Sequence, residues 1–203
     1  MAIPYLSYQQ VLAQTAEILE AHWSQRGIPV DIDHIVEIGF GIRITPLHGY
    51  RTRFGVEAAI SQELDEIQVD NHCLTRQPRR YRFALAHELG HRALHGSIMR
   101  DLRITGEETW MMAIRAISSE DYGRMERQAN LFAGLLLVPP RSLLESWRQA
   151  EARALESGID NLGGLGPESL SQVAGSIAND FDVSSRVIQI RLETDELVEP
   201  QTR

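Results

Sequence analysis

At 203 residues, with 43% hydrophobic and 24% charged, the chain can bury a substantial core in one domain with a small appendage, and it lacks the low hydrophobicity of a disordered protein. Its formal net charge of −8, with 20 basic residues that are all arginine, argues against direct nucleic-acid binding, because phosphate recognition depends on a positive field. The single cysteine, Cys73, excludes a disulfide framework, and neither a signal-like start nor an apolar run long enough for a bilayer is present. The expectation is a cytoplasmic protein with no membrane partner.

From Ser7 to Trp23, the apolar positions Val11, Leu12, Ile18, Leu19 and Trp23 follow a helical stripe. After Gly27-Ile28-Pro29, a short helix is predicted with Asp31 or Asp33 as N-cap, with Ile32, Ile35 and Val36 inward, ending at Gly39. Ile42 to Pro46 alternates with period two, and Phe54 to Ile60 and Glu66 to Val69 are further strand candidates, so a small sheet is expected over about residues 40–70. An edge of that sheet is a place where an extended peptide can pair. Asn71 to Gln77 reads as a connection into a helix over 78–96, opened by Pro78 and stopped at Gly96. Arg76, Arg79, Arg80 and Arg82 cluster at its start, either solvated or as a docking patch for an acidic partner.

Residues 97–118 suggest a loop with a short helix roofing whatever lies below. Ser118, with Asp121 three residues on, caps a helix over 119–138 that is nearly apolar through Met125, Ala129, Phe132 and Leu135 to Val138, until Pro139-Pro140 stop it. Pro140 then opens an amphipathic helix over 141–155. Gly158 and Gly163-Gly164-Leu165-Gly166 form a link. The tail carries two helices across a tight turn, with Ser184 as N-cap, spaced like a helix-turn-helix. The expected organisation is a core over 1–160 and an appendage over 167–203 packed on it. Residues 168–203 hold seven acids and three arginines, a net −4, which is a poor field for DNA.

The densest chemistry lies in Ala86-His87-Glu88-Leu89-Gly90-His91. Residues i and i+4 share one helix face, so His87 and His91 can aim ring nitrogens at one cation. Glu88 is offset around the helix, where it can take a proton from the attacking water rather than bind the ion. A catalytic zinc needs three protein ligands and an open position, so a third ligand must come from elsewhere. His95 lies eight residues beyond His87, about 12 Å along a straight helix, which favours a capping or core role. Cys73, His72, Glu107 and Glu108 are further candidates. Glu126 is preferred, because a carboxylate on an otherwise apolar helix needs a cation or donors. Asn130, one turn later, can accept the proton on the distal nitrogen of a ligand histidine.

Phe83 to His91, followed by Glu126-Arg127-Gln128-Ala129-Asn130-Leu131-Phe132-Ala133 and Leu136-Leu137-Val138-Pro139, resembles the ImmA/IrrE family of metallopeptidases. The resemblance spans residues 66–140 and touches Val183-Ser184 and Arg191-Leu192 near the end. It implies an α+β, zincin-like core, mostly helical with a small mixed sheet beside the motif helix. It also implies zinc, or manganese, on His87, His91 and Glu126, with Glu88 as general base. The implied activity is cytoplasmic cleavage of a helix-turn-helix repressor in a stress, phage or mobile-element response. For the oxyanion, Tyr122, His72, Arg79 and Arg80 stand open. The competing expectations are a regulator that reads DNA and holds a structural metal, and a metal-bound module that sequesters a repressor without cutting it.

Overall fold

The computed structural model describes residues 3–24, 26–101, 117–159, 161–164 and 166–198. They form an α+β fold in two compact units, Met1–Gln25 with Asp31–Leu136, and Arg26–Val30 with Leu137–Arg203. The division therefore falls at the end of the expected third-ligand helix and not in the glycine-rich link. The helix opened by Pro140 belongs with the C-terminal pair because it packs on the first of them.

In the first unit, α1 (Tyr8–Trp23) starts at a reciprocal cap: Gln10 N–H donates to Ser7 Oγ at 3.3 Å and Ser7 N–H to Gln10 Oε1 at 2.8 Å. The short α2 (Ile32–His34), capped by Asp31, runs on into a π-helical turn over Ile35–Gly39 and buries Ile32, Ile35 and Val36 as expected. Strands β1 (Arg43–Leu47), β2 (Ala58–Ile60) and β3 (Glu66–Asp70) make a mixed sheet in the order β1-β3-β2, with β1 parallel and β2 antiparallel to β3.

Two segments differ from the sequence expectation, and Asp70 accounts for much of both. The stretch expected as a strand from Phe54 begins instead as the end of a helix, α3 (Tyr50–Phe54), bracketed by Gly49 and Gly55 in left-handed conformations. Asp70 accepts the Arg51 N–H at 2.9 Å and so anchors it. The expected connection after Val69 is helix α4 (Asn71–Arg76), because the same carboxylate accepts the N–H groups of His72 at 2.9 Å and Cys73 at 3.3 Å.

Helix α5 (Pro78–Asp101) carries the two-histidine motif and continues five residues past the expected stop. Gly96 does not end it because the residue serves a close approach: a Cβ there would meet Leu64 Cδ1 at 3.0 Å. Leu64 itself holds a positive φ of 61° in the β2–β3 turn, a conformation unfavourable for a branched side chain. Its near-complete burial and the hydrogen bond from Arg92 to its carbonyl hold it there. The expected roof over 97–118 falls largely outside the described residues. Helix α6 (Ser119–Leu137) starts where foreseen, with Asp121 N–H donating to Ser118 Oγ at 3.1 Å.

In the second unit, α7 (Pro140–Glu156), α8 (Pro167–Phe181) and α9 (Ser185–Thr194) follow in series, with Ser184 capping α9 as expected. Arg191, 1% exposed, donates to the Val138 carbonyl at 2.8 Å and pairs with Asp195 at 2.5 Å, tying the end of α9 to the start of this unit. No described helix is long and apolar enough to cross a membrane.

Candidate metal centre

Helices α5 and α6 approach closely at the middle of the motif. Gly90 permits it, since a Cβ there would meet three Phe132 atoms at 3.0 to 3.2 Å. That contact sets the face bearing His87 and His91 against the face bearing Glu126. Nε2 of His87 lies 3.4 Å from Glu126 Oε2, Nε2 of His91 lies 3.4 Å from Glu126 Oε1, and the two Nε2 atoms are 2.9 Å apart. Ligands about 2.0–2.1 Å from a tetrahedral zinc are separated by about 3.3 Å, so the donor set fits one ion with a position left open. Among the described residues, these three form the cluster able to hold a metal.

Electrostatics give the same answer. Two imidazole nitrogens and a carboxylate converging this closely repel unless a positive charge lies among them. With no cation a proton takes that role: burial, the largest influence, opposes a charge on His87, yet Glu126, Glu88 and Asn130 outweigh it and raise its pKa. For Glu126, burial likewise works against ionisation, but the hydrogen bond from His87, with the nearby His91 ring adding to it, holds its carboxyl well below the usual range. Its side chain is 32% exposed, so the carboxylate is not sealed in an apolar core as its helix suggested. It faces a cleft.

Glu88 is placed differently. Its carboxylate is buried, accepts the Ile60 N–H from β2 at 2.9 Å, and is not one of the three converging ligands. Burial, only partly offset by the two histidines, raises its pKa above the ordinary carboxylate value, which makes it a better base once ionised. The cleft in front has a volume of about 400 Å³. One wall is the β2 segment with Arg51, Glu57 and Arg80, and the other is α6 with Tyr122, Met125 and Asn130.

Of the four oxyanion candidates, Tyr122 and Arg80 line the cleft. Tyr122 is half-buried and hydrogen-bonded to Glu126, and burial followed by that carboxylate pushes its phenol up to about 12, so it remains a donor. Arg80 is paired with Glu57. His72 is exposed on α4, and neither it nor Arg79 lines the cleft. Cys73 is buried, with burial as the main cause of a thiol pushed up to about 11, and it lies outside the ligand cluster. Glu107 and Glu108 fall outside the described residues.

Each histidine of the cluster has a partner on its far nitrogen. His87 Nδ1 lies 3.1 Å from Asn130 Oδ1, the contact foreseen for Asn130. His91 Nδ1 lies 3.3 Å from His95 Nδ1, and His95 Nε2 lies 2.8 Å from Gln128 Oε1. His95, read from sequence as a core or capping residue, and Gln128, passed over, are thus joined to the site. The signal for Gln128 was present: an amide on a buried helix face needs partners as much as a carboxylate does.

His95 also makes the fold acid-sensitive. Burial, chiefly, lowers its pKa from 6.5 to about 4. The unfolded chain then takes up a proton near pH 6.5 that the folded one refuses until about pH 4, so stability is fully present above that interval and is lost as pH falls through it. Metal-stripped protein is expected to lose up to about 3 kcal/mol between pH 7 and pH 4 through this residue. Replacing His95 by leucine removes that part of the slope in urea titrations; an unchanged slope contradicts the assignment.

The Peptidase_M78 family model, described as the IrrE N-terminal-like domain, matches residues 74–193. A search of curated proteins returned no match. Among solved structures, a Mycobacterium tuberculosis transcriptional regulator is similar at a TM-score of 0.55 and 17% identity, over 98% of this chain and 49% of that one. The chain thus spans about half the length of that protein, and the likeness speaks for the fold alone. The matched segment holds both histidines, Glu88 and Glu126 and covers more than half of the sequence, so the chain belongs to the Peptidase_M78 family, as a member of the IrrE N-terminal-like domain class.

Proposed function

We propose that the protein is a zinc-dependent endopeptidase that cuts a helix-turn-helix repressor in the cytoplasm, as part of a stress, phage or mobile-element response. The observation that carries this reading is the placement of Glu88: a buried carboxylate beside three converging ligand atoms, held on the Ile60 N–H and left out of the cluster. A structural zinc takes four protein ligands and needs no adjacent base or open cleft. Manganese is the alternative ion for the same three residues.

Zinc bound by His87, His91 and Glu126 supplies Lewis acidity to the scissile carbonyl and acidifies a neighbouring water. Glu88 removes the water's proton and delivers it to the leaving amine. Tyr122, a donor in the cleft, is the preferred oxyanion partner. The substrate backbone pairs with β2. Ser61 N–H donates to the Glu66 carbonyl and Asp70 N–H to the Glu57 carbonyl, both at 2.8 Å. Residues 57, 59 and 61 therefore face β3, while Ala58 and Ile60 turn their polar groups outward. Glu88 takes the Ile60 N–H, which leaves both Ala58 groups and the Ile60 carbonyl to receive an extended peptide.

The acidic C-terminal segment over 168–203 favours acting on a repressor over binding its operator. The test is incubation with the repressor encoded nearest to the gene. Expected are discrete fragments, lost on adding a chelator and restored by zinc, with no salt-dependent binding to random duplex DNA. An intact repressor held in a stable complex would instead identify a sequestering module, and duplex binding a regulator.

A further inference from the structure

The partners of His91 form a chain whose direction is set at its far end. The Gln128 side-chain amide meets the Pro4 carbonyl at 3.0 Å. A carbonyl oxygen only accepts, so the group facing it is the Gln128 NH2, and the Gln128 oxygen must then face His95 Nε2 at 2.8 Å. That oxygen accepts, so His95 carries its proton on Nε2 and presents a bare Nδ1. The group 3.3 Å from that bare nitrogen, His91 Nδ1, is therefore an N–H. His91 is left with its lone pair on Nε2, the atom that faces His87 and Glu126.

We propose that Pro4, Gln128 and His95 are positioning residues that fix the tautomer and ring orientation of His91 for metal binding. This rests on the metal-site reading above. The three side chains are buried, with His95 0% exposed and His91 and Gln128 each 5% exposed, although Pro4 at the far end is exposed. Water therefore does not substitute readily for a missing partner. His87, by contrast, has Asn130 at the exposed rim of the cleft.

The segment before α1 is built for its part. Ile3 is 2% exposed and packs with Ile117 and Met125, its N–H donates to Asp121 Oδ1 at 3.3 Å, and its carbonyl accepts from Arg124 at 2.7 Å. These contacts hold the Pro4 carbonyl over α6 at the place where Gln128 needs an acceptor. A stretch more than eighty residues before His91 in sequence thereby reaches it through two side chains.

The test uses the full chain with His95→Leu, His95→Asn and Gln128→Leu. Asparagine places an oxygen near the position of the histidine Nδ1, whereas leucine fills similar volume and accepts nothing. Two readouts are taken: zinc affinity by competition with a chromophoric chelator, and the protonated nitrogen of His91 in metal-free protein by ¹⁵N–¹H correlation of the imidazoles. Expected is a His91 proton on Nδ1 in the unsubstituted protein and in His95→Asn, both binding zinc alike. In His95→Leu and Gln128→Leu, the tautomers mix and affinity falls about 10–100-fold.

A His91 proton on Nε2 in the unsubstituted metal-free protein overturns the proposal by itself, even if His95→Leu fails to fold. So does unchanged affinity in both leucine variants, or an asparagine variant as weak as the leucine one. Failure of the underlying metal site looks different: the unsubstituted protein then binds no zinc and Glu126→Ala changes nothing, while the tautomer measurement still reads the chain.

Discussion

Replacing Glu88 by glutamine is expected to leave one zinc per chain and to lower cleavage by about a hundred- to ten-thousand-fold, the usual worth of a positioned general base. The amide is nearly the same size, and its oxygen can still accept the Ile60 N–H that now holds the carboxylate at 2.9 Å. The local structure is thus preserved while the base is lost. Because burial raises the Glu88 pKa in the metal-free protein, the substitution also removes a carboxylate that the fold holds at some cost. The variant is therefore expected to be no less stable than the parent. Metal content by plasma mass spectrometry and turnover of the repressor decide the matter, and cleavage at the parental rate would remove Glu88 from the mechanism.

Glu126→Ala is expected to do the opposite and empty the site. Its two oxygens stand 3.4 Å from the two imidazole nitrogens, and without them a pair of neutral histidines remains, two ligands where a catalytic zinc needs three. Affinity should fall by more than the ~10–100-fold typical of supporting residues. The same change should return His87 toward an ordinary histidine, since the Glu126 carboxylate is one of the influences that raise it. Parental metal content in this variant would dismiss Glu126 as a ligand, whatever happens to activity.

What could be read from the sequence and what could not divides along physical lines. The i, i+4 histidines and the carboxylate on a separate helix were legible because helical periodicity fixes which residues share a face, and because a charge on an apolar helix demands a partner. The caps at Asp31, Ser118 and Ser184 were legible for a similar reason, being short-range chemistry. The Asp70 cluster was not. One carboxylate accepts from Arg51, His72 and Cys73 and turns an expected strand start and an expected loop into helices. Gly96 reads as a stop in the sequence alone, because its need for space against Leu64 is a tertiary fact.

The His95–Gln128–Pro4 chain is not visible in the sequence because its two ends are distant along it. The spacing that sets His95 too far from His87 to share an ion with it places it one helical turn from His91, with the two Nδ1 atoms 3.3 Å apart. Glu126 does come within 3.4 Å of both imidazoles, although the premise that singled it out does not hold. Its carboxylate is partly exposed in a cleft, and what singles it out is its approach to two imidazoles, which no helical pattern displays.

The most direct measurement is the anomalous difference map at the zinc edge from crystals of the metal-loaded protein. A single peak bonded to Nε2 of His87, Nε2 of His91 and the Glu126 carboxylate is expected, with Glu88 still on the Ile60 N–H and beyond bonding distance. A peak coordinated by Glu88 or His95, or one lying away from Glu126, would contradict the account.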